Sequence, residues 1–377
     1  MSLHTFGWSV LALALLAGCS QKDDGKTVVR IGSVAPLTGA QTHIGKDNEN
    51  GARLALDEIN ATGLTLGGKP VRLELIAEDD GAEPKTATLV AQKLVDAGVA
   101  GVIGHLNSGT SIPASKLYNA AGIPQISPSA TAVKYTAQGY QTAFRVMAND
   151  AQQGAALGQF AVKTLKAQKI ALIDDRSAYG QGLADEVEKA VKAAGGTVID
   201  RQYTTDKATD FSAILTAIKG KGADLIVFAG MDPQGGPMAK QIKSLGLKAQ
   251  LLGADGIQNG NFIKLAGADA EGAIASSPGL PLDKMPGGPT FKQRFNAQYG
   301  EIQVYAPYAY DAMQVFVAAM KRADSADPKK ILAELTKTDH TGVTGQIRFD
   351  AKGDTVGGAV TLYQVKNGTW APLATVQ

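Results

Sequence analysis

The chain has 377 residues, 37 basic and 35 acidic, with a net charge of +2 and a hydrophobic fraction of 44%. That apolar fraction excludes a disordered chain, and the length suffices for two compact domains. Balanced charge without a basic block argues against a nucleic-acid surface, and 6% aromatic content argues against an all-β sandwich or a carbohydrate-stacking protein.

An apolar run from Phe6 to Ala17 closes as Leu16-Ala17-Gly18-Cys19, ahead of the polar Ser20 to Asp24. It is too short to span a bilayer, which needs about 20 apolar residues. Its length and small-residue ending fit a secretory signal, although residues 1–18 hold neither Lys nor Arg. The ending resembles a bacterial lipobox, which implies cleavage after Gly18 and a lipid on Cys19. The other reading is a buried N-terminal helix with an ordinary core cysteine. Cys19 is the only cysteine, so no internal disulfide is possible. A signal peptide is expected over 1–18 and a tether over 19–27. No later stretch reaches membrane length, so any membrane link is an anchor.

From Val28 the chain alternates strand and helix. Val28–Val34 reads as a strand and Asn50–Asn60 as an amphipathic helix. Val71–Ala77 is a strand, and Pro84 opens the next helix. Val99–Ile103, a helix from Ser111 to Ala121, and the strand Ile123–Ile126 complete a first series. A second series runs from a helix after Asn149 through the strand 169–173, the helix 178–194 and the strand 197–199. It continues with the helix 211–218, the strand 224–228, the helix 237–245 and the strand 250–253. Helical periodicity returns at 291–299, 308–321 and 328–335, and the C-terminus is β-like at 345–349, 359–365 and 370–373. Two β/α series with a return segment predict an α/β protein of two lobes, each a mostly parallel sheet covered by helices. Ligands bind such sheets at the carboxyl ends of the strands, so the crevice between the lobes is the expected site.

The strings EDDGAEPKTA at 78–87, GHLNSGTS at 104–111, ISPSAT at 126–131, RSAYGQGLA at 176–184, DFSAIL at 210–215 and LGADG at 252–256 carry a resemblance. In this order and spacing they resemble the type I periplasmic substrate-binding proteins of branched-chain amino-acid (Leu/Ile/Val) ABC importers. The resemblance covers essentially the whole mature chain. It implies two Rossmann-like lobes joined by a three-segment hinge that close over a ligand. The crossings fall near Ala148–Asn149, Pro278–Gly279 and Lys352–Val356. Lobe 1 is then 28–148 plus 279–352, and lobe 2 is 149–278 plus 356–377.

An amino acid is a zwitterion, and closing lobes strip water from both charges, so each needs a partner. Ser108 precedes a helix, whose N-terminus offers N–H donors to a carboxylate. The matching family serine binds the ligand carboxylate; the bland reading is a helix cap. Ser129 and Thr131 follow the next strand, where family members use backbone groups and the threonine hydroxyl; the other reading is a Pro-Ser turn. Asp255 follows the strand 250–253 and fits the ammonium, where relatives usually carry glutamate; an Asp-Gly turn is the alternative. Tyr179 opens a helix and by resemblance covers the ligand from lobe 2, or else staples the helix start. Ile44 and Met231 stand where many relatives carry aromatic residues, and Tyr305 adds a wall. Ala82 and Asn107 occupy the places of a cysteine pair found in several relatives.

No metal or cofactor is expected: His4, His43, His105 and His340 show no ligand spacing, and Glu78-Asp79-Asp80 reads as a strand end facing solvent. No nucleophile–base pair points to an enzyme. The expected protein is a monomeric, lipid-anchored periplasmic protein whose partners are an amino acid, ABC importer permease subunits and the membrane through Cys19. The competing reading is a ligand-sensing or cell-wall-regulating lipoprotein of the same fold.

Overall fold

The computed structural model describes residues 26–376. The expected signal peptide and Cys19 lie outside the described residues.

Two sheets organise the chain. The first contains β1 (Thr27–Ala35), β2 (Leu64–Leu66), β3 (Lys69–Asp79), β4 (Val102–Gly104), β5 (Gln125–Ser127) and β6 (Ala143–Arg145), in the order β2-β3-β1-β4-β5-β6. Only the β2–β3 pairing is antiparallel. The second contains β7 (Ile170–Asp174), β8 (Val198–Tyr203), β9 (Leu225–Ala229), β10 (Gln250–Gly253) and β11 (Ile274–Pro278) in parallel. A hairpin, β12 (Asp339–Thr341) and β13 (Gln346–Arg348), stands apart. The chain then returns to the second sheet as antiparallel β14 (Val360–Lys366) and β15 (Thr369–Val376), giving the order β15-β14-β11-β10-β9-β7-β8. Every residue of β7 and of β9 is buried, as continuous apolar runs covered on both faces should be.

The helices of the first series are α1 (Thr42–Thr62), α2 (Pro84–Asp96), α3 (Ser108–Ala121) and the short α4 (Lys134–Ala137). The second has α5 (Asp150–Gln159), α6 (Ala178–Ala193), α7 (Ser212–Lys221), α8 (Asp232–Ser244) and α9 (Gly260–Ala266). The return segment supplies α10 (Gly288–Tyr299), α11 (Ala306–Ala323) and α12 (Pro328–Leu335). Local chemistry sets several starts. Asn149 caps α5 in a reciprocal box with Gln152, and Ser177 accepts the Gly180 N–H at the head of α6. α11 crosses back to pack on α1, β4 and β5. Gly51 permits that approach, because a Cβ there would run into the Ala306 carbonyl.

Several sequence expectations are corrected. α3 begins at Ser108, three residues before the expected start, and β4 is displaced toward Gly104. α8 begins at Asp232, with Pro233 in its first turn and Pro237 inside it. β6 and β11 were not anticipated: β6 is three residues ending in a buried arginine, and β11 reads Ile-Ala-Ser-Ser-Pro, neither with an apolar signature. Asp80 does not face solvent; it is fully buried, with Oδ2 2.8 Å from His105 Nδ1, and His105 Nε2 lies 3.0 Å from the Tyr118 hydroxyl.

Candidate functional site

A narrow cavity of about 10 Å³, room for about one water, lies where the strand carboxyl ends of the two sheets converge. Its lining comprises Leu106, Asn107 and Ser108 after β4, Ser129 and Thr131 after β5, Met231 after β9 and Asp255 after β10, with Tyr179 of α6 and Tyr305 ahead of α11. The sequence-predicted residues Ser108, Ser129, Thr131, Tyr179, Met231, Asp255 and Tyr305 are thus brought together. Ile44 is not in the lining; it is buried in the hydrophobic core on α1.

On the first-lobe side, Asn107 occupies the N-cap position of α3 and Ser108 is its first helical residue. Ser108 therefore does not cap. Its Oγ accepts the Ala132 N–H at 3.1 Å, drawing the Thr131 loop onto the helix start. The first-turn N–H groups of a helix lack intrahelical partners and favour an anion. Ser129 is held through its side chain, accepting from Asn48 Nδ2 at 3.0 Å and donating to the Leu106 carbonyl at 3.1 Å. That fixes its backbone. Thr131 is buried and its Oγ1 makes no regular hydrogen bond among the described residues, although it lies close enough to Asp150 to lower that carboxyl's proton affinity.

The opposite side is acidic. Asp255 is buried and accepts three bonds: from Gln153 Nε2 at 2.9 Å, the Tyr179 hydroxyl at 3.0 Å and the Tyr305 hydroxyl at 2.9 Å. Burial raises its pKa against the pull of those three donors. Burial, then the Asp255 charge, raises both tyrosines well above 10, so their hydroxyls stay protonated as donors. Tyr305 reaches Asp255 across the cleft from a turn pinned by Asp47, which accepts the N–H groups of residues 303–306.

Sequence reasoning missed Asp150 and Gln153. Asp150, at the head of α5, is fully buried, and neither carboxylate oxygen has a hydrogen-bond partner among the described residues. Burial lifts its pKa well above the ordinary value, and the neighbouring Asp255 charge lifts it further. An acid in a first helical turn is the common dipole-favoured placement, so nothing in sequence set Asp150 apart. The spacing Asp150-x-x-Gln153 at the head of the Asn149-capped α5 was the available signal. A buried carboxylate without donors is costly unless something neutralises it. The cavity therefore offers helix N–H groups and hydroxyls to an anion and the Asp255 carboxylate to a cation, with Asp150 buried near Asp255 but outside the lining. Larger grooves exist, such as one bordered by Met285, Tyr363 and Pro372, but none of its lining residues has a buried unpartnered side-chain atom.

Comparison with known proteins agrees with this geometry. The family pattern described as periplasmic binding protein matches residues 28–369. An amino acid binding protein of Pseudomonas aeruginosa is 34% identical over 357 residues, covering 94% of each chain. The leucine-, isoleucine-, valine-, threonine- and alanine-binding protein of the same organism is 32% identical over 356 residues, again 94% of each. Among solved structures, the leucine binding protein LivK of Thermotoga maritima superposes with a TM-score of 0.86 at 28% identity, covering 92% of this chain and 98% of that one. The branched-chain amino acid transporter substrate binding protein LivJ of Streptococcus pneumoniae, in complex with isoleucine, gives 0.84 at 30% identity, covering 93% and 99%. These relatives are substrate-binding proteins rather than enzymes. The two-lobed α/β chain belongs to the type I periplasmic binding proteins, in the branched-chain amino-acid-binding family.

Proposed function

We propose that this protein captures a free α-amino acid, aliphatic or branched-chain, between its lobes and delivers it to an ABC importer. The observation that carries the reading is the pairing of opposite subsites in one cavity. Ser108, the α3 N-terminus and Thr131 suit a carboxylate, and Asp255, with the partnerless Asp150 buried near it, suits an ammonium. Met231 and Tyr305 bound the remaining space for an apolar side chain, with Ser129 supplying backbone groups and Tyr179 covering the ligand. The two sheets support lobes at 28–148 plus 279–352 and 149–278 plus 356–377. A thermal-shift screen of the purified protein against the twenty amino acids tests the reading. A ligand at 100 times its Kd stabilises by about 2.7 kcal/mol. No shift with any amino acid at millimolar concentration would refute it.

The Leu-Ala-Gly-Cys sequence supports a lipid anchor on Cys19 and a periplasmic location at a membrane surface. Among the described residues no helix is long and apolar enough to cross a membrane. The Cys19→Ser protein should move to the aqueous phase of a detergent partition. Retention in the membrane fraction at the wild-type level would remove the anchor.

A further inference from the structure

Arg145 is a fully buried cation among the largest buried side chains, and the binding site described above does not use it. Its Nη1 donates to the carbonyls of Ala130 and Ala132, at 2.8 and 3.0 Å, which flank Thr131. Its Nη2 donates to Thr136 Oγ1 at 2.7 Å, and its Nε meets Asp354 Oδ1 at 2.5 Å. Asp354 belongs to the crossing at 352–356. Its Oδ2 accepts from Asn149 Nδ2 at 3.3 Å, in the first crossing. Asn149 caps α5, and the next residue, Asp150, donates its N–H to the Thr131 carbonyl at 2.8 Å. The contacts close a ring: Thr131, Asp150, Asn149, Asp354, Arg145, and back to the two carbonyls beside Thr131.

We propose that Arg145 and Asp354 are positioning residues that couple two hinge crossings to the Thr131 loop, so that lobe closure and the setting of the carboxylate subsite occur together. The proposal rests on the amino-acid reading of that site. Three physical points carry it. A planar guanidinium can hold two carbonyls and a carboxylate at fixed angles, which a lysine ammonium on a flexible stem cannot. A buried ion pair is a poor way to gain stability, since packed apolar residues of similar volume often do as well. The crossing is also pressed onto β6: the Arg145 N–H donates to the Gly353 carbonyl at 2.9 Å. Gly353 has φ +91°, and a Cβ there would run into the Ala143 carbonyl, so this segment cannot shift without disturbing Arg145.

The test uses Asp354→Asn and Arg145→Lys. The Asp354 side chain is 15% exposed, so its variant should fold. The readouts are the Kd for the amino acid found in the screen, the Kd for its carboxamide, and hydrogen exchange in the ligand-free protein. Coupling residues that touch no ligand typically change affinity by about three- to thirtyfold. Asp354→Asn should weaken the amino acid by that factor and the carboxamide by less, because the carboxylate end is misplaced. Exchange should quicken at the Asp150 and Ala132 amides and stay unchanged at Ile226 and Val227 of β9. Wild-type affinity, or equal losses for both ligands with unchanged exchange, would overturn the proposal and leave the pair a stabilising contact. Should Arg145→Lys fail to fold, Asp354→Asn decides alone. Should the wild-type protein bind no amino acid, the functional reading fails separately, and unchanged exchange at Asp150 and Ala132 would still overturn the relay.

Discussion

Asp255 and Asp150 show how the same residue type takes two roles through its donors. Asp255 keeps three neutral donors and is a preorganised acceptor; Asp150 has none among the described residues. Both pKa values are raised from 3.8, chiefly by burial. A bound ammonium favours the ionised forms, so binding releases protons and affinity should rise with pH through the raised carboxyl range. Stability of the empty protein runs the other way. A carboxyl with a folded pKa above its unfolded value stabilises fully below the unfolded pKa and loses that contribution as pH rises through the folded one. Asp150→Asn should therefore raise the melting temperature of the empty protein at neutral pH while weakening the ligand. Asp255→Asn should keep the fold and lower affinity by about 30-fold or more, since it removes one side of a desolvated charge pair. Calorimetry and thermal melts on both variants measure this; Asp255→Asn affinity within threefold of wild type would take Asp255 out of the site.

At the scale of elements, helices with a clear apolar stripe were legible, and their ends were less so. The start of α3 illustrates why. A helix cap was the bland alternative for Ser108, because serine before a helical pattern often is one. The loop from β5 instead claims its hydroxyl through the Ala132 N–H, and the cap position passes to Asn107. α1 shows a similar reversal. Asp47 reads as part of a polar helix face, yet it is fully buried and terminates four N–H groups at residues 303–306. Those donors would otherwise be orphaned where the chain turns into α11. One acid thus fixes the turn that aims Tyr305 at Asp255. β6 and β11 were invisible for a related reason: their neighbours in the sheet, not their own composition, make them strands.

Among the described residues, several polar contacts join the lobes. Tyr305 reaches Asp255, His43 Nε2 lies 3.2 Å from Asp232 Oδ2, and Lys207 meets Glu83 at 2.7 Å on the surface. The last is solvent-exposed and contributes little. Polar contacts of this kind can break and re-form when a joint opens. Small-angle scattering with and without the screened amino acid should show a smaller radius of gyration in the bound protein. An identical curve at saturation would rule out a hinge-driven capture.

The alternation of strands and helices, the division into two α/β lobes and most of the cavity's lining were set by the sequence alone. Hydrophobic periodicity is local and marks the strand ends; that Ser108, Thr131, Met231 and Asp255 gather at them was implied by the family resemblance. Tertiary structure decided which charges meet. Asp150 lies 105 residues before Asp255, and only the fold buries them together. Arg145 and Asp354 are likewise 209 apart in sequence. It also decided that Ile44 stays in the core. Desolvation and charge pairing depend on what surrounds a group in three dimensions, and no spacing along the chain encodes that.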